Sequence, residues 1–441
     1  MPECFTILAD EVEKRIDPHF YRPAFIRFYH QLEKTKFEIK SVGEISEKVT
    51  SGATPLSKGD AYTSKEEGIP FVRSGDINED KNINFDEVLY IKENIHNKIL
   101  KGSKLKKGDV LIAIVGATIG QVSIYDYDKE ANINQAIALV RLNQGINPEY
   151  VKAFMISTLG QKQLDRIKRP VARANINLDE IRSIRIILPS LAIQNKIVSL
   201  MDNAYEEQKN KEEKTTEFLD SINDYVLDEL GIKLSKSENR MYFVVNFDDV
   251  KTGRIDPVSF AHPQDTPSSD KFEEKLLGEV ASLAKGQSIT KDNITSGDYP
   301  VIAGGQSSPY SIDRINHKGN VVTVSASGAY SGYIWYHDYP IFASDCTVIK
   351  SLDEKDISTF YLYCVMKAKQ KFIYNMQQGA GQPHVYSRDL SKLKIPLPLL
   401  SVQNKIADEV KNRMQRAEQL QKQAKEELKK AKMEVEKIIL G

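Results

Sequence analysis

The chain repeats itself, and that constrains its fold more than any other feature. ILPSLAIQNKI (Ile187–Ile197) returns 209 residues later as PLPLLSVQNKI (Pro396–Ile406), with seven of eleven positions identical. GDVLIAIVGATIG (Gly108–Gly120) is echoed by GNVVTVSASGAYSG (Gly319–Gly332), in each case an apolar strand running into a glycine-rich turn. RIDP occurs at Arg15–Pro18 and again at Arg254–Pro257, and GEI (Gly43–Ile45) is echoed by GEV (Gly278–Val280). These marks keep their order in both halves, which identifies a duplicated unit rather than a chance match.

Each half is a mixed domain followed by a helix-forming tail. β-branched and aromatic runs (Val110–Val115, Ala136–Leu142, Val321–Ser325, Ile341–Ile349) alternate with Gly, Pro, Asn and Asp, and Pro148–Thr158 and Ser358–Ala368 read as helices. The expected class is α+β, with mixed α/β heads on a mainly antiparallel or mixed sheet. The tails lack Pro and Gly from Ser190 to Leu230 and from Leu399 to Leu440, and glycine follows each at Gly231 and Gly441. Apolar steps of three, four and seven predict a narrow seam at Ile193, Ile197, Leu200, Phe218 and Ile222, and at Ile406, Val410, Leu420, Leu428 and Val435. At 1.5 Å per residue each helix is a rod of roughly 55 Å. Residues 190–231 hold 4 basic and 10 acidic residues, and residues 399–441 hold 10 and 7. Opposite signs favour pairing of the two helices with each other, so an intramolecular antiparallel coiled coil is expected.

Charge also limits function. The chain has 61 basic and 61 acidic residues, and neither head is strongly basic: 28 against 26 over 1–189, 19 against 18 over 232–398. A polybasic coat is therefore excluded. Cys4, Cys346 and Cys364 are far apart and form no zinc spacing, which fits a reducing cytosol. The opening MPECFTILADEVEKRIDP has no signal-peptide pattern, and the longest apolar run, Val110–Val115, is too short to span a membrane. The expectation is a soluble cytoplasmic protein.

No catalytic motif assembles. GATIG (Gly116–Gly120) and SGAYSG (Ser327–Gly332) match neither nucleotide-loop pattern and read as tight turns. NPEY (Asn147–Tyr150) is similar to an amino-methyltransferase tetrapeptide, but a helix cap with Pro at the first helical position accounts for it. The seven histidines fall into no HExxH or HxH spacing. Contacts to DNA are a different matter, because Arg, Asn and Gln read base edges and Lys neutralises phosphate. In the first half the candidates are Lys58, Arg73, Lys104, Lys106, Lys107, Arg169, Arg173 and Asn175. In the second they are Lys285, Gln287, Lys291 and Gln306, with Gln378, Gln382, His384 and Arg388 in the loop equivalent to that before Asn175. Equivalent loops of different chemistry imply that the two heads read two different things.

These features together resemble the specificity (S) subunit of Type I restriction–modification systems. The resemblance rests on the Leu-Pro-x-Leu-x-x-Gln-x-x-Ile segments at Leu188–Ile197 and Leu397–Ile406, the strand-plus-glycine segments, and the entry loops Ser51–Pro55 and Gly286–Thr290. It covers essentially the whole chain, although Ser190 and Leu399 replace the second proline the family often carries. It implies target-recognition domains at 1–188 and 233–397 and spacer helices at 189–232 and 398–441. Each head would read half of a bipartite site on double-stranded DNA, and the helices would set the gap and dock two methyltransferase (M) subunits. Restriction (R) subunits would join for cleavage, in a bacterial or archaeal cytoplasm at the nucleoid. The chain itself would be non-catalytic and without cofactor, with S-adenosylmethionine, ATP and Mg on the partners. The rival readings are a two-headed coiled-coil adaptor for protein or glycan, and an enzyme with an undetected site in one head.

Overall fold

The computed structural model describes residues 5–7, 12, 15–55, 60–77, 83, 85, 87–169, 174–233, 267–290, 294–379 and 381–441. The chain divides into two compact units, Met1–Lys211 with Lys422–Gly441, and Glu212–Gln421.

Strands of the first unit are β1 (Glu38–Ser41), β2 (Ser46–Ser51), β3 (Tyr62–Thr63), β4 (Ile69–Val72) and β5 (Leu89–Ile91). They continue as β6 (Asp109–Ala113), β7 (Val122–Tyr125), β8 (Asn132–Ile133), β9 (Ile137–Leu142) and β10 (Arg185–Leu188). The helices are α1 (Pro23–Leu32), α2 (Pro148–Ile156), α3 (Thr158–Ile167), α4 (Leu178–Arg182) and the start of α5 (Leu191–Leu230). The central sheet runs β2-β9-β6-β7 and is antiparallel throughout. β6 and β7 are buried on both faces, as the unbroken apolar run around Val110 requires, whereas edge strand β2 buries only Val49. Alternate residues serve two cores: Val110, Ile112 and Val140 face the one containing α2 and α3, while Leu111, Ala113 and Leu139 face the one beneath the second sheet. That second sheet, β3-β5-β4-β8, is mixed, with β4 and β8 parallel.

The second unit repeats the plan with β11 (Glu274–Leu276), β12 (Ala281–Lys285), β13 (Ser296–Ile302), β14 (Ser311–Ile312), β15 (Val321–Ser325) and β16 (Ile334–His337). It adds β17 (Phe342–Ala343), β18 (Cys346–Ser351) and β19 (Lys394–Pro396). Its helices are α6 (Leu277–Val280), α7 (Thr359–Ala368), α8 (Gln370–Tyr374), α9 (Ser387–Leu390) and α10 (Leu400–Leu440). The order β12-β18-β15-β16 reproduces β2-β9-β6-β7, the pair β11–β19 reproduces β1–β10, and parallel β13–β17 reproduces β4–β8. The fold class is thus α+β with a structural repeat. Only the first RIDP copy can be compared, because residues 254–257 lie outside the described residues.

The shared Gln of the duplicated motif is the joint between head and long helix. Gln194 is 3% exposed; its amide donates to Pro189 O at 2.9 Å and its carbonyl accepts from Asn147 N at 3.4 Å. Gln403, 1% exposed, donates to Asp356 O at 2.8 Å and Pro398 O at 3.0 Å and accepts from Ser358 N at 3.2 Å. Asn147 and Ser358 are the N-caps of α2 and α7, so one buried amide ties the cap of a head helix to the entry of a long one. Tyr150 and Tyr361 repeat the theme, donating their hydroxyls to Ile187 O and Pro396 O.

The long helices pack start against end in both units. In the first, Ile197 and Met201 of α5 share a core with Ala431, Val435 and Ile439 of α10. In the second, Ile222, Val226 and Leu230 of α5 share one with Ile406, Ala407 and Val410 of α10. That is antiparallel pairing. Among the expected seam residues, Ile197, Ile222, Ile406, Val410 and Val435 are buried, and Ile193, Leu200 and Leu428 are half-buried against the first core. Phe218 and Leu420 correct the expectation: both are half-buried and belong to neither core. Ala417, Ala424 and Ala431, which belong to the same apolar pattern and follow Val410 at seven-residue steps, are buried, because small side chains let helices approach closely. Charge pairing is also less uniform than the sign difference implies. Glu229 of α5 meets Lys405 at 3.4 Å, but Lys211 of α5 meets Glu427 at 2.5 Å in the opposite sense.

Candidate nucleic-acid interface

One end of each central sheet gathers five segments of chain. In the first unit the ends of β2, β4, β6 and β8 are tied together by backbone bonds. Asn134 N donates to Val72 O at 3.0 Å, Gly52 N to Asn134 O at 3.2 Å, and Ile114 N to Ala136 O at 2.9 Å. The loop before α4 joins through Ile176 N to Ile114 O at 3.0 Å and Gly116 N to Ala174 O at 3.1 Å. Gly52 makes this closeness possible, since a Cβ there would meet Ile133 O at 1.6 Å. Gly116, at φ +81°, turns the chain out of β6, so the glycine-rich segment is a turn as expected. Arg73 stands on this rim with its backbone N–H and guanidinium both held by Asp76, at 2.8 and 3.0 Å. Arg169 and Asn175 stand beside each other there, Nη1 to Oδ1 3.3 Å.

The second unit builds the same rim from other residues. Ser344 N donates to Ile302 O at 2.8 Å, Gln287 N to Ala343 O at 2.9 Å and Ala326 N to Asp345 O at 3.2 Å. The loop before α9 joins through Val385 N to Ala326 O at 3.1 Å and Gly328 N to Pro383 O at 3.0 Å. The Ser327 hydroxyl donates to Asp345 Oδ2. His384 stacks on Tyr386 at 6.0 Å and 21°, and the Arg388 guanidinium lies 4.9 Å over the same ring. Lys285, Gln287, Gln306, Gln382 and Arg388 are exposed, and Gln306 hydrogen-bonds with Tyr374. The second rim is therefore rich in amide and aromatic groups and carries one arginine, Arg388, whereas the first holds two, Arg73 and Arg169.

Not every candidate converges. Lys104, Lys106 and Lys107 precede β6, at the end opposite the rim, and five residues of strand put them about 16 Å away. Lys107 is held 3.4 and 3.6 Å from Asp126 and Asp128, and its hydrogen bond to Asp126 raises its pKa. Lys104 donates to Asn97 Oδ1 at 2.5 Å. Lys58, Arg173 and Lys291 lie outside the described residues. Conversely, Asn134, Ser327, Tyr330, Asp345 and Tyr386 sit on the rims without having been singled out. Extending the 209-residue offset past the helix entry would have found Tyr386, which stands opposite Asn177.

Among the described residues no group of three or more His, Cys, Asp or Glu could hold a metal. The Cys346 thiol is buried and its pKa is pushed up to about 12 by desolvation, so it is protonated and a poor nucleophile at neutral pH. Hydrogen bonding and stacking are the chemistry these rims offer.

Residues 33–219 and 269–430 match the family model for the Type I restriction modification DNA specificity domain. The chain is 23% identical to the MjaX specificity subunit of Methanocaldococcus jannaschii over 92% of both chains. It is 29% identical to the EcoBI specificity subunit of Escherichia coli, over 36% of this chain and about a third (33%) of that protein's length. Among solved structures, a chain from a study of assembly and conformational transition of the type I R-M system matches with TM-score 0.55 and 15% identity. That likeness covers 91% of this chain and 96% of the other, and concerns the fold.

Proposed function

The chain belongs to the Type I restriction–modification DNA specificity family, and from that membership we propose that each unit reads one half of a bipartite DNA site with its loop rim. The supporting observation is the pair of rims: the same backbone scaffold carries Arg73, Arg169 and Asn175 in one unit and Gln287, Gln378, His384 and Arg388 in the other. A scaffold that holds loops in one geometry while their side chains diverge suits recognition of different base sequences. A formal net charge of zero accords with partners that contribute phosphate contacts. In this reading the chain is non-catalytic and carries no cofactor. S-adenosylmethionine is bound by methyltransferase subunits docked on the long helices, two per chain, and ATP and Mg act on restriction subunits where cleavage occurs. Lys104, Lys106 and Lys107, away from the rim, would contact backbone phosphate rather than bases. Among the described residues no helix is long and apolar enough to cross a membrane.

Exchanging residues 233–397 for the corresponding segment of another family member tests this. The expected result is a new second half-site with the first half-site retained. A change in both half-sites would contradict modular reading.

A further inference from the structure

We propose that Arg169 and Gln378 are equivalent base-reading side chains, each aimed by a carboxylate at the third residue of the short helix that follows, Glu180 in α4 and Asp389 in α9. This deepens the DNA-reading proposal and rests on it. The two sets share one register. Arg169, Asn175 and Glu180 stand 209 residues before Gln378, His384 and Asp389, the offset of the repeated helix-entry motif.

The geometry agrees with the register. Arg169 N donates to Asn175 O at 3.4 Å, and Gln378 N donates to His384 O at 2.8 Å, so both readers sit across the same two-stranded turn. Asn175 bridges to Val115 and His384 to Ser327, placing both turns against the strand leaving the central sheet. Glu180 accepts from Arg169 Nη1 at 3.0 Å and Nη2 at 2.8 Å. Asp389 accepts from Gln378 Nε2 at 2.7 Å. Each anchor residue is set by the first turn of its own helix, Glu180 through its carboxylate and Asp389 through its backbone. Glu180 closes a capping box with Asn177, and Asp389 N donates to Tyr386 O at 3.0 Å.

What remains on each reader decides what it recognises. Glu180 occupies the end of the Arg169 guanidinium, leaving Nε–H and one Nη2–H side by side on its edge. Two parallel donors match the O6 and N7 acceptors of guanine in the major groove. Asp389 occupies one N–H of Gln378, leaving an N–H and the carbonyl oxygen. A donor beside an acceptor matches N7 and the N6 amino group of adenine. The anchor keeps its charge in both halves while the reader changes, which is how a duplicated scaffold acquires two specificities. Glu180 and Asp389 are positioning residues in this scheme, with side chains only 12% and 25% exposed.

The test uses the full chain assembled with its methyltransferase subunits and a library of random-sequence duplexes, sequencing the bound fraction. Arg169→Gln is expected to lower guanine preference at one base pair of one half-site by about tenfold or more, leaving the other half-site intact. Gln378→Arg should do the converse, converting one adenine preference to guanine in the other half-site. Asp389→Ala should broaden preference at that same base pair and Asp389→Asn should restore it, a pattern that general destabilisation would not produce. Unchanged base preferences, or losses spread evenly over all positions as for phosphate contacts, would overturn the assignment. Failure of the unsubstituted assembly to enrich any sequence would instead refute DNA reading as such.

Discussion

Replacing Gln403 by Leu removes the joint between α7 and α10 at nearly constant volume. Three hydrogen bonds disappear, to Asp356 O, Pro398 O and from Ser358 N, at a side chain 1% exposed. Each buried backbone group left without a partner costs about 1–3 kcal/mol, partly offset by burying an alkyl group in place of an amide. A net loss of about 3–5 kcal/mol is expected. Because the chain has two units, one global midpoint is a poor measure. Native-state hydrogen exchange at the Ser358 amide reports the joint directly, and its protection should fall by at least about 100-fold. Gln194→Leu offers an internal control. It loses two bonds, one of them a long 3.4 Å contact to Asn147 N, so its effect should be about half as large. Ser358 exchange within a factor of about five of the unsubstituted chain, or equal effects at both sites, would refute the reasoning.

Further outcomes follow from other parts of the molecule. His337, fully buried beside Thr323 and 5.0 Å from the single tryptophan, Trp335, has its pKa lowered to about 4 by desolvation. A folded pKa below the unfolded value near 6.5 means stability of the second unit is lost as pH falls from about 6.5 to 4, by up to roughly 3 kcal/mol. Trp335 fluorescence during urea titrations should show that slope, and His337→Gln should flatten it; a slope retained in the variant would assign it elsewhere. Val435→Asp places an unpaired carboxylate at a site 0% exposed and should unfold the first unit, whereas Leu420→Asp, outside both cores, should cost under about 1.5 kcal/mol by calorimetry. Equal costs would restore Leu420 to the seam. Inserting one heptad after Lys211 in α5 and after Gln421 in α10 should lengthen the gap between half-sites while preserving both; an unchanged gap would remove the helices from setting it.

Much of this fold was legible in the sequence because its main signals are periodic. The 209-residue offset announced two units of one topology, and proline- and glycine-free tails marked helices that run Leu191–Leu230 and Leu400–Leu440. What escaped was what depends on convergence. Ala417, Ala424 and Ala431 lie in the apolar pattern, but Leu420 and Leu428, three and four positions away, carry more hydrophobic weight and obscured that the alanines are the buried residues. Lysines clustered in sequence before Gly108 suggested a contact patch, but strand direction carries them to the far end of β6. Glu180 and Asp389 carry no signal of their own in the sequence; only the fold sets them against Arg169 and Gln378. Rims assembled from five segments distant in sequence carry no local signature at all.

Sequencing methylated bases across a host genome, with the chain and its methyltransferase subunits present or absent, bears most directly on the whole account. Two short half-sites separated by a fixed run of unspecified base pairs, methylated only when the chain is present, is the predicted result. A single continuous motif, or methylation indifferent to the chain, would contradict it.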